Sequence, residues 1–138
     1  MEFIDLKKQN HLIKKEIDSA IHNVINHGKF INGPEVEILE NNLKQLIGAK
    51  FCSTVSSGTD ALLIALMAID IIPGDEIITS PFSFVSAVEV ISLLGCKPIF
   101  VDINPNTFNI DVSKIEEKIT KKTKAIIPVS MFGQCCDM

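Results

Sequence analysis

Residues 56–60 carry the pattern most typical of a ligand site in this sequence: Ser-Ser-Gly-Thr-Asp. They separate a short β-forming stretch, residues 51–55, from an apolar run at 61–68 that is typical of a helix. The first amides of a helix have no intrahelical acceptor and lie at the positive end of the helix dipole. This turn therefore suits an anion such as phosphate, because Gly58 permits close approach and the Thr59 hydroxyl can donate a hydrogen bond.

The same turn also suits a purely structural role. Serine and threonine are common helix N-caps, and the Asp60 carboxylate can satisfy amides of the first turn. The pattern contains neither the Gly-Lys-Ser/Thr of a Walker loop nor a Gly-x-Gly-x-x-Gly fingerprint. On these residues alone, phosphate binding and helix capping both stay open.

Strands and helices alternate from residue 51 onward. The predicted strands are residues 51–55, 76–79, 97–102 and 124–129, and the predicted helices are 59–69, 84–94 and 113–119, the last N-capped by Ser113. This alternation indicates a parallel, buried sheet, whose ligands bind beyond the carboxyl ends of the strands. The turn at 56–60, the loop at 80–84, Asp102 and residues 130–133 all follow predicted strands, so we expect them to line one cleft.

The part before residue 51 is predicted to be helical. Apolar residues recur at helical spacing over 12–26. A second apolar stripe follows Pro34, a residue that suits the first turn of a helix, and Gly48 ends this second helix. The intervening loop contains Lys29 and Asn32, whose side chains can contact a substrate. A plain connector between two helices is the alternative.

Composition excludes several classes of protein. The chain has 138 residues, 46% of them apolar, and a net charge of −4, which is typical of one folded domain. All thirteen basic residues are lysines, so nucleic-acid binding is disfavoured, because arginine is the usual bidentate reader of phosphates and bases. We expect no membrane span, no signal peptide and no metal site, and reduced cysteines in a cytoplasmic protein.

Taken together, the segments resemble the sugar-nucleotide aminotransferases of the DegT/StrS type, which are pyridoxal-phosphate (PLP) enzymes of the aspartate-aminotransferase fold. The matching segments follow the family's order through the chain: residues 3–6, 28–36, 57–62, 73–79, 81–85, 95–103 and 123–129. The resemblance implies an α/β fold, the N-terminal part of the fold type I large domain, with a mostly parallel sheet and helices on both faces. We expect one incomplete domain over 1–138, with a helical segment at 1–50 and the α/β part at 51–138.

The resemblance implies cofactor contacts. In the family the Ser-Gly-Thr turn holds the PLP phosphate, which implicates Gly58, Thr59 and the amide of Asp60. The aromatic residue that follows a Pro-x-Ser/Thr segment in the family stacks on the pyridine ring, which implicates Phe84, after Pro81-Phe82-Ser83. Stacking would orient the ring and exclude water from one face. The alternative for Phe84 is an ordinary core aromatic at the start of a helix.

The resemblance also implies substrates and an assembly. The loop at 28–33 would lie near the sugar nucleotide, which makes Gly28, Lys29, Phe30 and Asn32 candidate substrate contacts. Within the family the chain looks closest to members that aminate the 3-keto group of a UDP-linked hexuronate for polysaccharide or related sugar biosynthesis. Glutamate would be the amino donor and the complete protein a homodimer.

The family's PLP-binding lysine and the carboxylate that contacts the pyridinium nitrogen lie beyond the point that corresponds to residue 138. None of the lysines present matches the family's lysine motif, so no residue is assigned a catalytic role and this chain alone is expected to be inactive. Three alternatives are a truncated remnant, a non-catalytic regulatory or interaction protein on the same fold, and a generic phosphate-binding domain of the flavodoxin type.

Overall fold

The computed structural model describes residues 4–138, so the first family segment begins outside the described residues. The chain divides into two compact units, and the boundary along the sequence falls between Thr54 and Val55. The first contains three helices: α1 (Leu6–Leu12), α2 (Lys14–His27) and α3 (Pro34–Ile47). The second contains α4 (Gly58–Met67), β1 (Glu76–Thr79), α5 (Ser86–Leu93), β2 (Lys97–Phe100) and β3 (Thr123–Ile127). The expectation of one incomplete domain stays a prediction.

Local signals determine the helices of the first unit. The Asp5 carboxylate accepts a hydrogen bond from the Lys8 amide at 2.9 Å and caps α1, a helix that the apolar spacing did not predict. Pro34 occupies the first turn of α3, and Gly48 ends that helix in the left-handed conformation with φ of 69°, both as predicted. Gly28 ends α2 in the same way, with φ of 66°.

The predicted strand at 51–55 is wrong, because residues 51–55 have no regular secondary structure. A strand needs a neighbour for its amides and carbonyls, and the described residues of the first unit contain no other strand. The Thr54 amide instead donates to the Glu40 carboxylate at 2.7 Å, and the Thr54 hydroxyl donates to the same oxygen at 2.9 Å.

A three-stranded parallel sheet forms the centre of the second unit, in the order β2-β1-β3. All four residues of β1 are buried, as expected for a central parallel strand, and its bounds match the prediction. The α/β fold with a parallel sheet is therefore confirmed.

The sheet has an apolar layer on each face. On one face the fully buried Ile77 of β1 packs with Leu66 of α4 and with Val90 and Ile91 of α5. On the other face Ile78 packs with Val101 and Ile110. Successive strand residues point to opposite faces, so neighbouring residues of β1 contribute to different layers.

Two predicted helices begin elsewhere than expected. The helix predicted at 84–94 begins at Ser86, which leaves Phe84 in the preceding loop. The helix predicted at 113–119 is two short 3₁₀ turns, Val112–Lys114 and Glu116–Lys118. Its cap is Asp111, and not Ser113, because the Asp111 carboxylate accepts from the Ser113 amide at 3.2 Å and hydroxyl at 2.6 Å.

Candidate functional site

The N-terminus of α4 presents unpaired amides. Ser57 is its N-cap, with extended backbone, and its Oγ accepts a hydrogen bond from the Asp60 amide at 3.1 Å. The amides of Gly58 and Thr59 precede Asp60 in the first turn and have no intrahelical acceptor. Space beside Gly58 is open, since a Cβ built there would meet no atom within 4 Å. A ligand can therefore reach these two amides.

Asp60 carries the negative charge of this turn. Its carboxylate accepts hydrogen bonds from the Ser56 hydroxyl and, at 2.9 Å, from the Ser57 hydroxyl. The bond from Ser56, and then that from Ser57, holds the pKa of the Asp60 carboxyl below its usual range, so the group is ionised at neutral pH. The serine cap considered from the sequence is present as Ser57, whereas the Asp60 carboxylate accepts from two hydroxyls and not from amides of the first turn.

The donors at this turn fit a phosphate group. The Gly58 and Thr59 amides and the Thr59 hydroxyl are three donors at the positive end of a helix. The Asp60 amide already bonds to the Ser57 hydroxyl, so it joins the set only if that hydroxyl turns away. The ionised Asp60 side chain opposes a second anion, which makes the backbone amides and Thr59 the main attractive groups.

Phe84 lies in the loop between β1 and α5 and is 77% exposed. It is therefore not a core aromatic of the second unit, which was the alternative to a stacking role. The Ser83 hydroxyl donates to the Phe84 carbonyl at 3.1 Å, and α5 begins two residues later. The ring is available to a planar ligand.

The turns that follow α4 and α5 meet at the edge of the sheet where the strands begin. In these turns the Gly74 amide donates to the Gly95 carbonyl at 2.9 Å. Since both helices end at this edge, their N-termini lie toward the opposite edge, where parallel strands end. The turn at 57–60 and the loop that contains Phe84 thus lie toward the carboxyl edge of the sheet, where such sheets bind ligands. Their roles as cofactor contacts stay predictions.

Three aromatic rings join the loops that follow the strands. The rings of Phe82 and Phe108 have centroids 6.0 Å apart, and Phe132 stands edge-on to Phe108 at 5.8 Å. Phe82 follows β1 and Phe132 follows β3, so Phe108 brings two of the predicted loops together. The single cleft that was also to include Asp102 and the turn at 56–60 stays a prediction. Phe108 was not predicted, since it lies in a loop of ordinary turn residues.

The buried Asn109 connects these loops by hydrogen bonds. Its Oδ1 accepts from the Met131 amide at 3.0 Å, and its Nδ2 donates to the carbonyls of Gln134 at 3.2 Å and Cys135 at 3.1 Å. Sequence analysis missed Asn109, because an asparagine in a polar loop is typical of a turn.

The candidate substrate contacts lie in the first unit, in the loop between α2 and α3. The five loop residues Gly28, Lys29, Phe30, Ile31 and Asn32 line a hollow of about 390 Å³. Phe30 is 71% exposed and Ile31 88% exposed, so neither packs in a core. The structure therefore groups the four predicted contacts around one concave surface.

Two residues beside this loop were missed as contributors to its conformation. The ring of His27 accepts from the Lys29 amide at 3.0 Å and lies 3.0 Å from the Glu35 carboxylate. Gly33 is buried, and a Cβ there would lie 2.3 Å from the Lys29 carbonyl oxygen. Sequence analysis identified Pro34 as the start of a helix but gave neither Gly33 nor His27 a role in the conformation of the loop.

The structure bears on the expectations about cysteines, metals and membranes. All four cysteines are free: Cys52, Cys96, Cys135 and Cys136. Burial, with a smaller contribution from Asp75, raises the pKa of the Cys96 thiol. Within residues 4–138, no group of three or more potential ligands is placed to hold a metal ion. Over the same residues, no helix combines the length and apolar character needed to cross a bilayer.

Comparison with known proteins identifies the family of this chain. The model of the DegT/DnrJ/EryC1/StrS aminotransferase family matches residues 11–138, and the chain belongs to that family. It is 52% identical, over 99% of its length, to UDP-2-acetamido-2-deoxy-3-oxo-D-glucuronate aminotransferase from Pseudomonas aeruginosa. The family resemblance drawn from the sequence is confirmed, including its likeness to an aminotransferase of a UDP-linked 3-oxo-hexuronate.

Solved structures agree. A family aminotransferase from Brucella abortus superposes with a TM-score of 0.88 and 36% identity over 99% of this chain. NtdA from Bacillus subtilis, solved with bound cofactor PMP, gives a TM-score of 0.85 and 41% identity over 89% of this chain. The chain spans 38% of the length of the Pseudomonas relative, and 39% and 28% of these two structures. The predicted fold, part of the PLP-transferase large domain, is confirmed.

Proposed function

We propose that this chain supplies the cofactor-phosphate turn and a substrate loop of a PLP-dependent aminotransferase that acts on a UDP-linked 3-keto sugar. The observation that carries the proposal is the open N-terminus of α4, with the Gly58 and Thr59 amides unpaired, in a chain 52% identical to an enzyme of that substrate class. Glutamate as amino donor, a homodimeric assembly and a cytoplasmic location belong to the same proposal.

The residues of the turn hold the cofactor in place. The Gly58 and Thr59 amides and the Thr59 hydroxyl bind its phosphate, and the ring of Phe84 covers one face of its pyridine and excludes water there. When bound, PLP supplies an electron sink that makes transfer of an amino group possible. No residue of this chain is given a catalytic role in the proposal.

The loop between α2 and α3 recognises the sugar nucleotide. The Lys29 ammonium is attracted to the charge of a diphosphate, and the Asn32 amide can hydrogen-bond to a sugar hydroxyl. Phe30 offers an exposed ring to an apolar or planar part of the ligand. The hollow lined by these residues, together with Gly28, supports this assignment.

Binding of pyridoxine 5′-phosphate tests the cofactor part of the proposal. This probe has no aldehyde and cannot react with the thirteen lysines, so calorimetry reports reversible binding alone. Thr59→Ala removes one donor to a charged group, worth about 1.5–3 kcal/mol, and is expected to weaken binding tenfold or more.

Ser92→Ala serves as the matched control for Thr59→Ala. Ser92 is exposed and lies near the C-terminal end of α5, away from the phosphate turn. Its removal is expected to leave the affinity unchanged. Equal affinities of the natural chain and Thr59→Ala would reject the phosphate assignment.

Titration with UDP-glucuronate tests the substrate part. Lys29→Ala removes the charge that faces the diphosphate and is expected to weaken binding, whereas Lys15→Ala, an exposed lysine within α2, is expected not to. Equal losses in the two variants would indicate a general charge effect and reject a specific role for the loop.

A further inference from the structure

The ring of His27 holds both ends of the loop between α2 and α3. Its Nδ1 lies 3.0 Å from the Lys29 nitrogen, two residues along the chain, and its Nε2 lies 3.0 Å from Glu35 Oε1, in the first turn of α3. The ring is thus hydrogen-bonded to the start of the loop and to the helix that follows it. Its side chain is 27% exposed, although it belongs to an otherwise solvated helix end.

These two contacts specify the form of the ring. The Lys29 amide is a donor, so Nδ1 must accept with its lone pair. The Glu35 carboxylate is an acceptor, so Nε2 must carry a hydrogen. Only the neutral imidazole protonated at Nε2 satisfies both. The hydrogen bond from His27 is also the largest cause of the lowered pKa of the Glu35 carboxyl, which keeps that acceptor ionised.

Few other contacts hold the loop. Phe30 and Ile31 are largely exposed, and Asn32 has a positive φ of 49°, a conformation that asparagine adopts more readily than other non-glycine residues. The buried Gly33 packs against the Lys29 carbonyl, so Lys29 is held on one side by Gly33 and on the other by His27. Because its exposed side chains do not stabilise the loop, its conformation depends on the contacts of Lys29 with His27 and Gly33.

We propose that His27 is a positioning residue for the substrate loop: by accepting from the Lys29 amide while donating to Glu35, its neutral ring sets the conformation in which residues 28–32 bind the sugar nucleotide. The inference rests on the proposed function of that loop. It adds a residue that need not touch the ligand.

Two substitutions separate the contacts of the ring. In His27→Asn the side-chain oxygen lies two bonds from Cβ, as Nδ1 does, so it can accept from the Lys29 amide but does not reach Glu35. In His27→Gln the amide nitrogen lies three bonds from Cβ, as Nε2 does, so it can donate to Glu35 but leaves the Lys29 amide without its acceptor.

Amide hydrogen exchange measures the loop without any ligand. Exchange of the Lys29 amide is expected to be at least tenfold faster in His27→Gln than in the natural chain, and close to natural in His27→Asn. Nitrogen-15 spectra of the ring are expected to show the Nε2-protonated tautomer at pH 8. Equal Lys29 protection in both variants, or a ring protonated at Nδ1, would overturn the inference.

Titration with UDP-glucuronate then connects the loop to its ligand. His27→Gln is expected to weaken binding severalfold, whereas His27→Asn restores most of the natural affinity, a pattern that simple loss of helix stability would not give. Faster Lys29 exchange with unchanged affinity would overturn the positioning role. Absence of binding to the natural chain would instead reject the proposed function of the loop, and the exchange and tautomer results would still report on the loop's conformation.

Discussion

The two units of this chain are stabilised in different ways. In residues 55–138 the side chains of Ile77, Ile78 and Ile91 are completely buried, on a sheet whose central strand is covered on both faces. In residues 4–54 no helix contains a fully buried residue, and the apolar stripes of α2 and α3 remain largely exposed. The second unit therefore depends on its core, and the first on caps and hydrogen bonds.

This difference matters for the two candidate sites. The phosphate turn begins a helix that packs on the buried sheet, so its amides are presented by a rigid support. The substrate loop connects two helices without a buried core of their own, and His27 and Gly33 hold it by single contacts. Substitutions in the core of the second unit should therefore lower its stability strongly, and those in the first unit should have smaller, local effects.

The largest expected effect is on the core of the second unit. Ile77→Ala leaves a cavity at a completely buried position and is expected to lower the free energy of unfolding by about 2–5 kcal/mol. Ile21→Ala in α2, where the side chain is 51% exposed, is the control, with an expected change below about 1 kcal/mol. Denaturant titration measures both, and similar losses would contradict the contrast between the units.

Asn109→Ala is expected to have the next largest effect. It removes the three hydrogen bonds that the buried Asn109 side chain makes, at a cost of about 1–3 kcal/mol. Exchange of the Met131 amide should increase, since Asn109 is its acceptor. Asn106→Ala, at an exposed position of the same loop, should change neither stability nor exchange. Slow exchange at Met131 in Asn109→Ala would show that other contacts hold the segment.

Gly33→Ala is expected to act locally in the first unit. The added Cβ would lie 2.3 Å from the Lys29 carbonyl oxygen, so the loop must shift, at a cost of about 1–3 kcal/mol that is confined to this unit. Hydrogen exchange should increase at Lys29, with the amides of β1 unchanged. Asn42→Ala on α3 is the control. Faster exchange throughout β1 would contradict a local effect of the substitution.

The smallest expected effect comes from pH. Hydrogen bonds from the Thr54 amide and then the Thr54 hydroxyl lower the pKa of Glu40 below its ordinary value of 4.5. In the other unit, hydrogen bonds from Ser113 and then Lys114 lower the pKa of Asp111 below 3.8. A lowered folded-state pKa stabilises the fold fully above the ordinary value, and the contribution is lost as pH falls through the folded pKa.

When the pH is lowered from 7, the stabilisation from these two carboxylates should therefore begin to decrease only below about pH 4.5. The contribution of Glu40 should be lost before that of Asp111, because glutamate has the higher ordinary pKa. Glu40→Gln should reduce this dependence in the signals of the first unit and leave the second unit unchanged. The effect is small because the carboxylates are solvated. A pH dependence that is unaltered in Glu40→Gln would show that the Thr54 contacts contribute nothing.

Sequence predicted the elements whose signals are local. Pro34 and Gly48 marked the ends of α3, and the two isoleucines in the short stretch between Gly74 and Pro81 predicted β1 to the residue. The stretch at 51–55 has the composition of a strand, but a strand also needs a partner, which composition does not reveal. Ser113 was chosen as a cap although Asp111, two residues earlier, is the side chain that accepts.

In the candidate site too, sequence indicated the features with a local signal and missed those that depend on the folded chain. The turn at 57–60 was singled out because glycine, threonine and serine at a helix start suit an anion, and its role as a phosphate site stays a prediction. The contribution of His27 was missed, because it depends on where the Lys29 amide and Glu35 lie after the loop has folded. Asn109 was missed for the same reason, since its partners lie 22 to 26 residues along the chain.

The most direct test of the central claim is to map pyridoxine 5′-phosphate binding by amide chemical shifts of the whole chain. The account predicts the largest shifts at Gly58 and Thr59, a change in the Phe84 ring signals, and none of these with pyridoxine, which lacks the phosphate. Shifts centred elsewhere, or equal shifts with both compounds, would contradict the assignment of the α4 N-terminus as the cofactor-phosphate site.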